Sequence, residues 1–347
     1  MTTEIREKRM GWEVAKELEA NTTTWERFMP EKGAVIAALW GMAVFAGMFL
    51  VGCWLAGNPF EATQRIASPY IKAIGYEGTN NWHIVWSVVA LAVIFEFLDA
   101  SAGMGYGTAI TPLLLVMGFN PKQIVPIVMI QQATAGWVGT FLHREFANVE
   151  WSFKPMSETI KLWLFVSVTG CLAVGISVTA VYAIFKVHKV WISLYVAALL
   201  VMMGVMSLVS ASRERSYKPR MMIFWGGLAA FNKGVGGGGY GPVVTIGGIL
   251  SGIPIKSMMA ITALCEATIS SFSILVWLTM LAGGEVIDFI LLPSMMLGSM
   301  VAAVLAPWMT RTFPERIWRW IVPTYSLILA AYVCYKVIPD VIAKLAQ

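Results

Sequence analysis

The sequence predicts an all-α, polytopic integral membrane protein. Of its 347 residues, 58% are hydrophobic and 13% are charged, against roughly 45–50% apolar and about 25% charged residues in soluble domains. Several apolar stretches reach about 20 residues, the length that a helix needs to cross the hydrocarbon core of a bilayer. Two glycine-rich segments interrupt this pattern, and the second half of the chain resembles the first. We therefore expect about nine spans, two half-helices and two inverted repeats.

Residues 1–32 are polar and mixed in charge, with scattered apolar anchors such as Trp12. Thr23 and Glu26 have the spacing of a capping box. We expect an amphipathic arm on the cytoplasmic membrane surface, and the alternative is an arm that binds a partner protein. This N-terminal segment is too charged for a secretory signal peptide. The first uncleaved span is therefore expected to direct insertion.

The remaining apolar stretches predict the spans in order. They are expected at about 33–57, 82–100, 123–142, 159–185, 190–211, 221–233, 256–282, 289–309 and 317–338. Two shorter apolar pieces, at about 108–118 and 241–251, follow glycine clusters. We interpret them as half-helices, because pieces of this length cover only about half of the ~30 Å core. The domains are then an arm (1–32), an extra helix and loop (33–81), repeat 1 (82–211), a basic linker (212–220) and repeat 2 (221–347).

The distribution of Lys and Arg predicts the orientation. Basic residues cluster in the arm and in the loops at 211–220 and 311–319. All three regions fall on one side if each half-helix pairs with the span before it, and the positive-inside rule makes that side cytoplasmic. The acidic loop with Glu285 and Asp288 then lies outside. We expect a multi-pass protein of a prokaryotic inner membrane, with a cytoplasmic N-terminus.

A constant offset lays one half of the chain on the other. It carries Gly105 onto Gly239, Tyr106 onto Tyr240, Gly107 onto Gly241, and Lys122 onto Lys256. Under the predicted orientation the first copy starts outside and the second starts inside, so the repeats are inverted. Inverted repeats with interrupted helices are typical of secondary transporters, whose unwound segments line a buried site.

The second glycine segment reads NKGVGGGGYGP, at 232–242. It matches GxGxxG, but it follows an apolar span rather than a strand, and no acidic residue stands about 20 positions on, so a nucleotide site is disfavoured. Four consecutive glycines weaken a helix by roughly 1 kcal/mol each, and Pro242 suits the start of a new helix. We interpret the segment as an unwound loop that faces a ligand. The alternative is close packing between helices.

Two features suggest that the ligand is an anion. The half-helices that begin near Thr108 and Pro242 offer free N–H groups and the positive ends of helix dipoles. Placing a lysine such as Lys233 at the bilayer centre costs roughly 2.5–3.5 kcal/mol, so we expect it to have an ion-pair partner or a functional role. The offset places Asp99 opposite Lys233, so the two residues could form an ion pair. Two interpretations are open: the pair only holds the two halves together, or it also attracts the substrate. Glu96, one turn earlier, is expected nearer the membrane surface.

Glu266 is the candidate for proton coupling, because an intramembrane carboxyl group can change its charge as the site opens to either side. The alternative is a protonated Glu266 that is hydrogen-bonded to a neighbouring helix. The candidate substrate-binding residues are Asp99, Gly103, Gly105, Tyr106, Gly107, Gln132, Asn232, Lys233, Gly236, Gly237, Gly238, Gly239 and Tyr240.

No cofactor, metal site or nucleic-acid partner is expected. The four cysteines contain no CxxC pair and the three histidines fall at segment edges, which disfavours metal sites. The chain shows no recognisable nucleophile and base pair, so we do not expect an enzyme.

The two glycine segments resemble those of the TauE/SafE family of sulfite exporters. The residues that carry the resemblance are FLDASAGMGYGTAITPLLLVMGFNPKQIV in the first copy and GGLAAFNKGVGGGGYGPVVTIGGILSGIPIKSMMA in the second. It covers about residues 82–338 and implies an all-helical permease for small anions such as sulfite, sulfoacetate or thiosulfate, moved with protons. This chain departs from the pattern in its first loop, AGMGYG, and in the additional residues 1–81.

The expected function is therefore secondary transport of a small anion across a lipid bilayer, by alternating access of the two repeats. The alternative is a non-transporting membrane subunit that docks in a larger complex through the arm. The sequence does not identify the anion, and an oligomer of this chain is left open.

Overall fold

The computed structural model describes residues 10–103, 106–184 and 217–345, together with isolated positions between 191 and 206. These residues form an all-α bundle, as the sequence predicts. In chain order the helices are α1 (Glu13–Asn21), α2 (Thr24–Phe28), α3 (Lys32–Ala56), α4 (Pro69–Ala73), α5 (Trp86–Ala102), α6 (Tyr106–Val116), α7 (Pro121–Glu145), α8 (Glu158–Val178), α9 (Pro219–Gly236), α10 (Tyr240–Leu250), α11 (Ile255–Ala282), α12 (Leu292–Thr312) and α13 (Glu315–Leu345).

Five helical segments of the described chain are long and apolar enough to cross a membrane. They are Thr24–Ala56, Pro121–Glu145, Glu158–Tyr182, Ile255–Ala282 and Leu292–Thr312. The two predicted half-helices are α6 and α10, each of 11 residues. The span predicted at 190–211 and most of the linker at 212–220 lie outside the described residues.

The helix boundaries repeat at the offset found in the sequence. The half-helices α6 and α10 begin and end at positions that this offset superimposes, and so do α8 and α12. The first residues of α7 and α11 are also related by it. Local signals explain this agreement, since Tyr106 and Tyr240 each follow a glycine segment. Pro121 begins α7 behind an Asn120 capping box, and Pro254 directly precedes α11.

The two long inner helices, α7 and α11, pack against each other and run antiparallel. Trp137 Nε1 donates to Ser271 Oγ at 3.1 Å. Further along α7, a Cβ on Gly139 would lie 3.9 Å from the Cβ of Ala263, earlier in α11. Residues nearer the end of α7 therefore contact residues nearer the start of α11. Because the two helices correspond by the repeat, this direction agrees with inverted repeats.

Each repeat packs its first helix on a later helix of the other repeat. The N–H of Val85, before α5, donates to Ser294 Oγ in α12 at 2.8 Å. At the other end of the pair, Thr310 Oγ1 donates to the carbonyl of Ser101 at 2.9 Å. The helix α9 packs along α8 in the equivalent position. The repeats are thus interlocked, and their shared interface contains the glycine segments.

The described part of the N-terminal arm, from residue 10, contains two short helices. The capping box predicted for α2 is present, since Thr23 N donates to Glu26 Oε2 at 2.7 Å and Glu26 N donates to Thr23 Oγ1 at 3.3 Å. The face of α1 that carries Ala15 is buried, and the side chain of Trp12 just before it is also buried.

The arm packs against the end of the bundle where α7 ends and α11 begins, which we call the arm end. Glu150 N donates to the carbonyl of Gly11 at 2.7 Å. Glu19 Oε2 lies 2.8 Å from Lys256 Nζ, at the start of α11. The arm therefore contacts both repeats.

Residues 57–85 close the opposite end of the bundle, which we call the distal end. Arg65 Nη1 lies 2.6 Å from Asp288 Oδ1, and Asp288 is fully buried. Asp288 Oδ2 also accepts from Gln123 Nε2 at 2.7 Å. Lys122 pairs with Glu285 beside this cluster. These contacts join the two repeats at the distal end.

Candidate functional site

Both interrupted helices end in the same way at the centre of the bundle. The helix α5 ends at Gly103, whose φ is +63° and whose N–H donates to the carbonyl of Asp99 at 2.7 Å. The helix α9 ends at Gly237, whose φ is +73° and whose N–H donates to the carbonyl of Lys233 at 2.7 Å. Left-handed backbone of this kind favours glycine. The local fold therefore presents Asp99 and Lys233 on equivalent last turns.

The two glycine segments touch each other through their backbones. A Cβ on Gly107 would lie 2.0 Å from the carbonyl oxygen of Gly237, and a Cβ on Gly238 would lie 2.5 Å from the Cα of Thr108. Gly239 N donates to Thr108 Oγ1 at 2.6 Å. Close packing therefore explains several of these glycines. The N–H groups of Gly237 and Gly239 are occupied within the protein.

Lys233 lies at the centre of this arrangement with no exposed surface. Its Nζ lies 2.6 Å from Glu266 Oε1 in α11 and also donates to Gln132 Oε1 in α7. The same nitrogen lies 5.4 Å from the ring centroid of Tyr240, at the start of α10. The recorded ion-pair partner is thus Glu266, whereas the sequence pointed to Asp99. A buried lysine of this kind is stable only because it is paired.

A small cavity of about 20 Å³ lies beside the ion pair, between the two repeats. Its wall includes Glu96, Asp99, Gly103, Gln132, His143, Met259, Thr262 and Glu266. This volume holds about one water molecule. A sulfur oxyanion is larger, so the cavity must widen before it can hold one. Three carboxyl groups share this wall, and Lys233 forms an ion pair with that of Glu266.

Most of the candidate residues from the sequence fall into two groups. Those at the cavity or the ion pair are Asp99, Gly103, Gln132, Lys233 and Glu266. Those at the contact between the glycine segments or buried beside it are Tyr106, Gly107, Gly236, Gly237, Gly238, Gly239 and Tyr240. Asn232 is buried next to Lys233 and accepts from Tyr195 OH. Gly105 lies outside the described residues.

Three buried polar residues at the site are absent from the list of candidates drawn from the sequence. Glu96 is 1% exposed and lines the same cavity as Asp99. Gln131 donates to Glu96 and also to Ser299 Oγ, the latter at 2.9 Å. His143 lines the cavity, and its Nε2 lies 3.1 Å from the carbonyl oxygen of Ala100. The proximity of Glu96 to Asp99 and of Gln131 to Gln132 in the chain was the available signal.

Comparisons with known proteins agree with this architecture. The family model described as Sulfite exporter TauE/SafE matches residues 88–333. The Probable membrane transporter protein YtnM of Bacillus subtilis (strain 168) is 24% identical over 256 residues, which are 72% of this chain and 81% of that protein. No solved structure gives a significant match. The chain is therefore a polytopic membrane transporter and belongs to the sulfite exporter TauE/SafE family.

Proposed function

We propose that the protein is a secondary transporter of a small anion, a sulfur oxyanion or organosulfonate such as sulfite, thiosulfate or sulfoacetate. One observation carries the proposal: Lys233 is fully buried where the two repeats meet, beside a polar cavity. A cation in that position attracts an anion and excludes other cations. The description of the matching family supports sulfite or a related anion.

The anion binds by taking the place of Glu266 at Lys233. An ammonium group has three N–H donors, and two of them point to Glu266 and Gln132. An incoming oxyanion first accepts from the third donor and then displaces the carboxylate of Glu266 from the donor that it holds. Gln132 keeps its contact with Lys233 and holds the ammonium group in place.

Proton coupling follows from the charge that this exchange leaves behind. Glu266 is 4% exposed, and without Lys233 it would be an unpaired buried carboxylate. Such a group is expensive in a membrane interior unless it is neutralised. A proton on Glu266 restores neutrality, so each anion is carried together with a proton.

Alternating access is the proposed route across the membrane. Two cross-bundle ion pairs close the site, Lys122–Glu285 at the distal end and Lys256–Glu19 at the arm end. The two lysines correspond by the repeat offset and lie at opposite ends, because α7 and α11 are antiparallel. Rocking of the repeats breaks one pair at a time and opens the cavity to one side.

Binding to the purified protein tests this proposal. Sulfite, thiosulfate or sulfoacetate is expected to raise the unfolding temperature of the wild type, since a ligand at 100 times its Kd stabilises by about 2.7 kcal/mol. The double variant Lys233→Met, Glu266→Gln is expected to lose this response. The control is Lys72→Ala, at an exposed position, which keeps it. Equal stabilisation of the double variant, or no response of the wild type to any of the three anions, contradicts the proposal.

A further inference from the structure

Glu96 is the buried carboxyl group at the cavity that the exchange at Lys233 does not use. It lies on α5, one turn before Asp99, and faces Glu266 across the cavity. It is 1% exposed. Any charge on Glu96 is therefore felt directly by an anion in the cavity, because little solvent intervenes.

The hydrogen-bond partner of Glu96 is an amide, not a cation. Gln131 Nε2 donates to Glu96 Oε2. The ion pairs among the described residues do not include Glu96, and the one at the cavity joins Lys233 to Glu266. A charged Glu96 would thus add a buried negative charge next to Asp99, and an arriving anion would add another.

We propose that Glu96 is a second proton-binding residue of the site and that it takes up a proton when the anion enters. This inference rests on the proposed function and extends it from one carboxyl group to two. The neutral form of Glu96 removes the repulsion between this side chain and the anion. Binding of the anion and binding of the proton therefore favour each other.

Gln131 is suited to hold either form of Glu96. Its amide nitrogen donates to the carboxylate, while its Oε1 is buried with no hydrogen-bond partner among the described residues. Rotation of the amide presents Oε1 to Glu96, where it accepts from the protonated carboxyl group. The same side chain can thus satisfy the carboxyl group before and after it takes up the proton.

Several other ionisable groups face Glu96 and share its surroundings. They are Asp99 on the same helix, Tyr106 on the half-helix α6, Glu266 on α11 with its partner Lys233, and His143 on α7. Because these groups interact, the protons taken up by the site are a property of the whole cluster. The test therefore compares proton numbers between variants.

The experiment measures protons taken up per bound anion. Purified wild type and Glu96→Gln are titrated with sulfite in buffers of different ionisation enthalpy, over a pH series around neutrality. Protons bound by sulfite itself cancel in the difference between the two proteins. Glu96→Gln is expected to bind sulfite with one proton fewer. Its affinity for sulfite is also expected to fall less steeply as the pH rises, so that the loss per pH unit is smaller by a factor of about ten.

Two further variants separate this role from a structural one. Glu96→Asp keeps a carboxyl group and is expected to recover the proton uptake. Glu77→Gln changes an exposed carboxyl group and is expected to match the wild type. Wild-type proton numbers in Glu96→Gln, or loss of its sulfite binding, overturn the inference while the proposed function stands. A wild type that binds none of sulfite, thiosulfate or sulfoacetate overturns both.

Discussion

Replacing Lys233 by alanine is expected to destabilise the protein by about 3–5 kcal/mol. The change leaves the carboxylate of Glu266, which is 4% exposed, without its partner at 2.6 Å. A pair of charges about 4 Å apart is worth about 4 kcal/mol at an effective dielectric constant of about 20. The two figures agree in size, so most of the effect is expected from the stranded charge rather than from the lost volume.

A double-mutant cycle measures this coupling. Glu266→Gln strands the ammonium group of Lys233 and is expected to have a similar effect. The double variant Lys233→Met, Glu266→Gln removes both charges and is expected to lie within about 1 kcal/mol of the wild type, because a buried ion pair replaced by neutral groups of similar size is often nearly neutral for stability. The assay is equilibrium unfolding in lipid bicelles. Additive effects of the two single variants, with a coupling energy below about 0.5 kcal/mol, would refute the buried ion pair.

Three further predictions concern the glycine contact and the two ends of the bundle. Gly238→Ala is expected to lower the folded yield in purification, since a Cβ there would lie 2.5 Å from backbone atoms of the facing segment, whereas Gly227→Ala meets nothing within 4 Å and serves as control. A cysteine placed in the cavity wall can be labelled with a membrane-impermeant thiol reagent added to one side. Glu285→Gln is expected to raise labelling from the distal side, and Glu19→Gln is expected to raise labelling from the arm side. Equal labelling from both sides would contradict the proposed gates. Asp288→Asn is expected to lower the unfolding free energy by about 1.5–3 kcal/mol, because Arg65 loses a charged acceptor; an unchanged unfolding free energy would show that this buried pair adds nothing.

The helices could be predicted from the sequence because their signals are local. Apolar length marks the spans, and the glycine clusters followed by apolar runs mark the half-helices α6 and α10. The repeat offset, found from a few matching residues, recurs in the helix boundaries. For the half-helices α6 and α10, only neighbours in the chain were needed to place the helix.

The partners within the site could not be predicted in the same way. The offset related Lys233 to Asp99, and the ion pair with Glu266 could not be read from it, because Glu266 reaches the ammonium group from another helix, α11. Glu96 was expected near the surface. One turn of helix rises only about 5.4 Å, and α5 ends at the centre of the bundle, so Glu96 reaches the same cavity as Asp99.

The contacts of the arm could not be predicted from the sequence for the same reason. Its polar sequence fits a surface helix or a docking segment equally well. Its contacts with Glu150 and Lys256 join residues far apart in the chain, which no local pattern reveals. The face of the arm that carries Trp12 is used within the protein, and this does not favour the alternative of a docking arm.

Uptake into proteoliposomes tests the central claim most directly. Radiolabelled sulfite, thiosulfate and sulfoacetate are offered to vesicles that contain the wild type or the double variant Lys233→Met, Glu266→Gln, with and without a pH gradient. We predict saturable uptake of at least one anion by the wild type, stimulated by the proton gradient and lost in the double variant. No uptake of any of the three by a folded wild type, or equal uptake by the double variant, would contradict it.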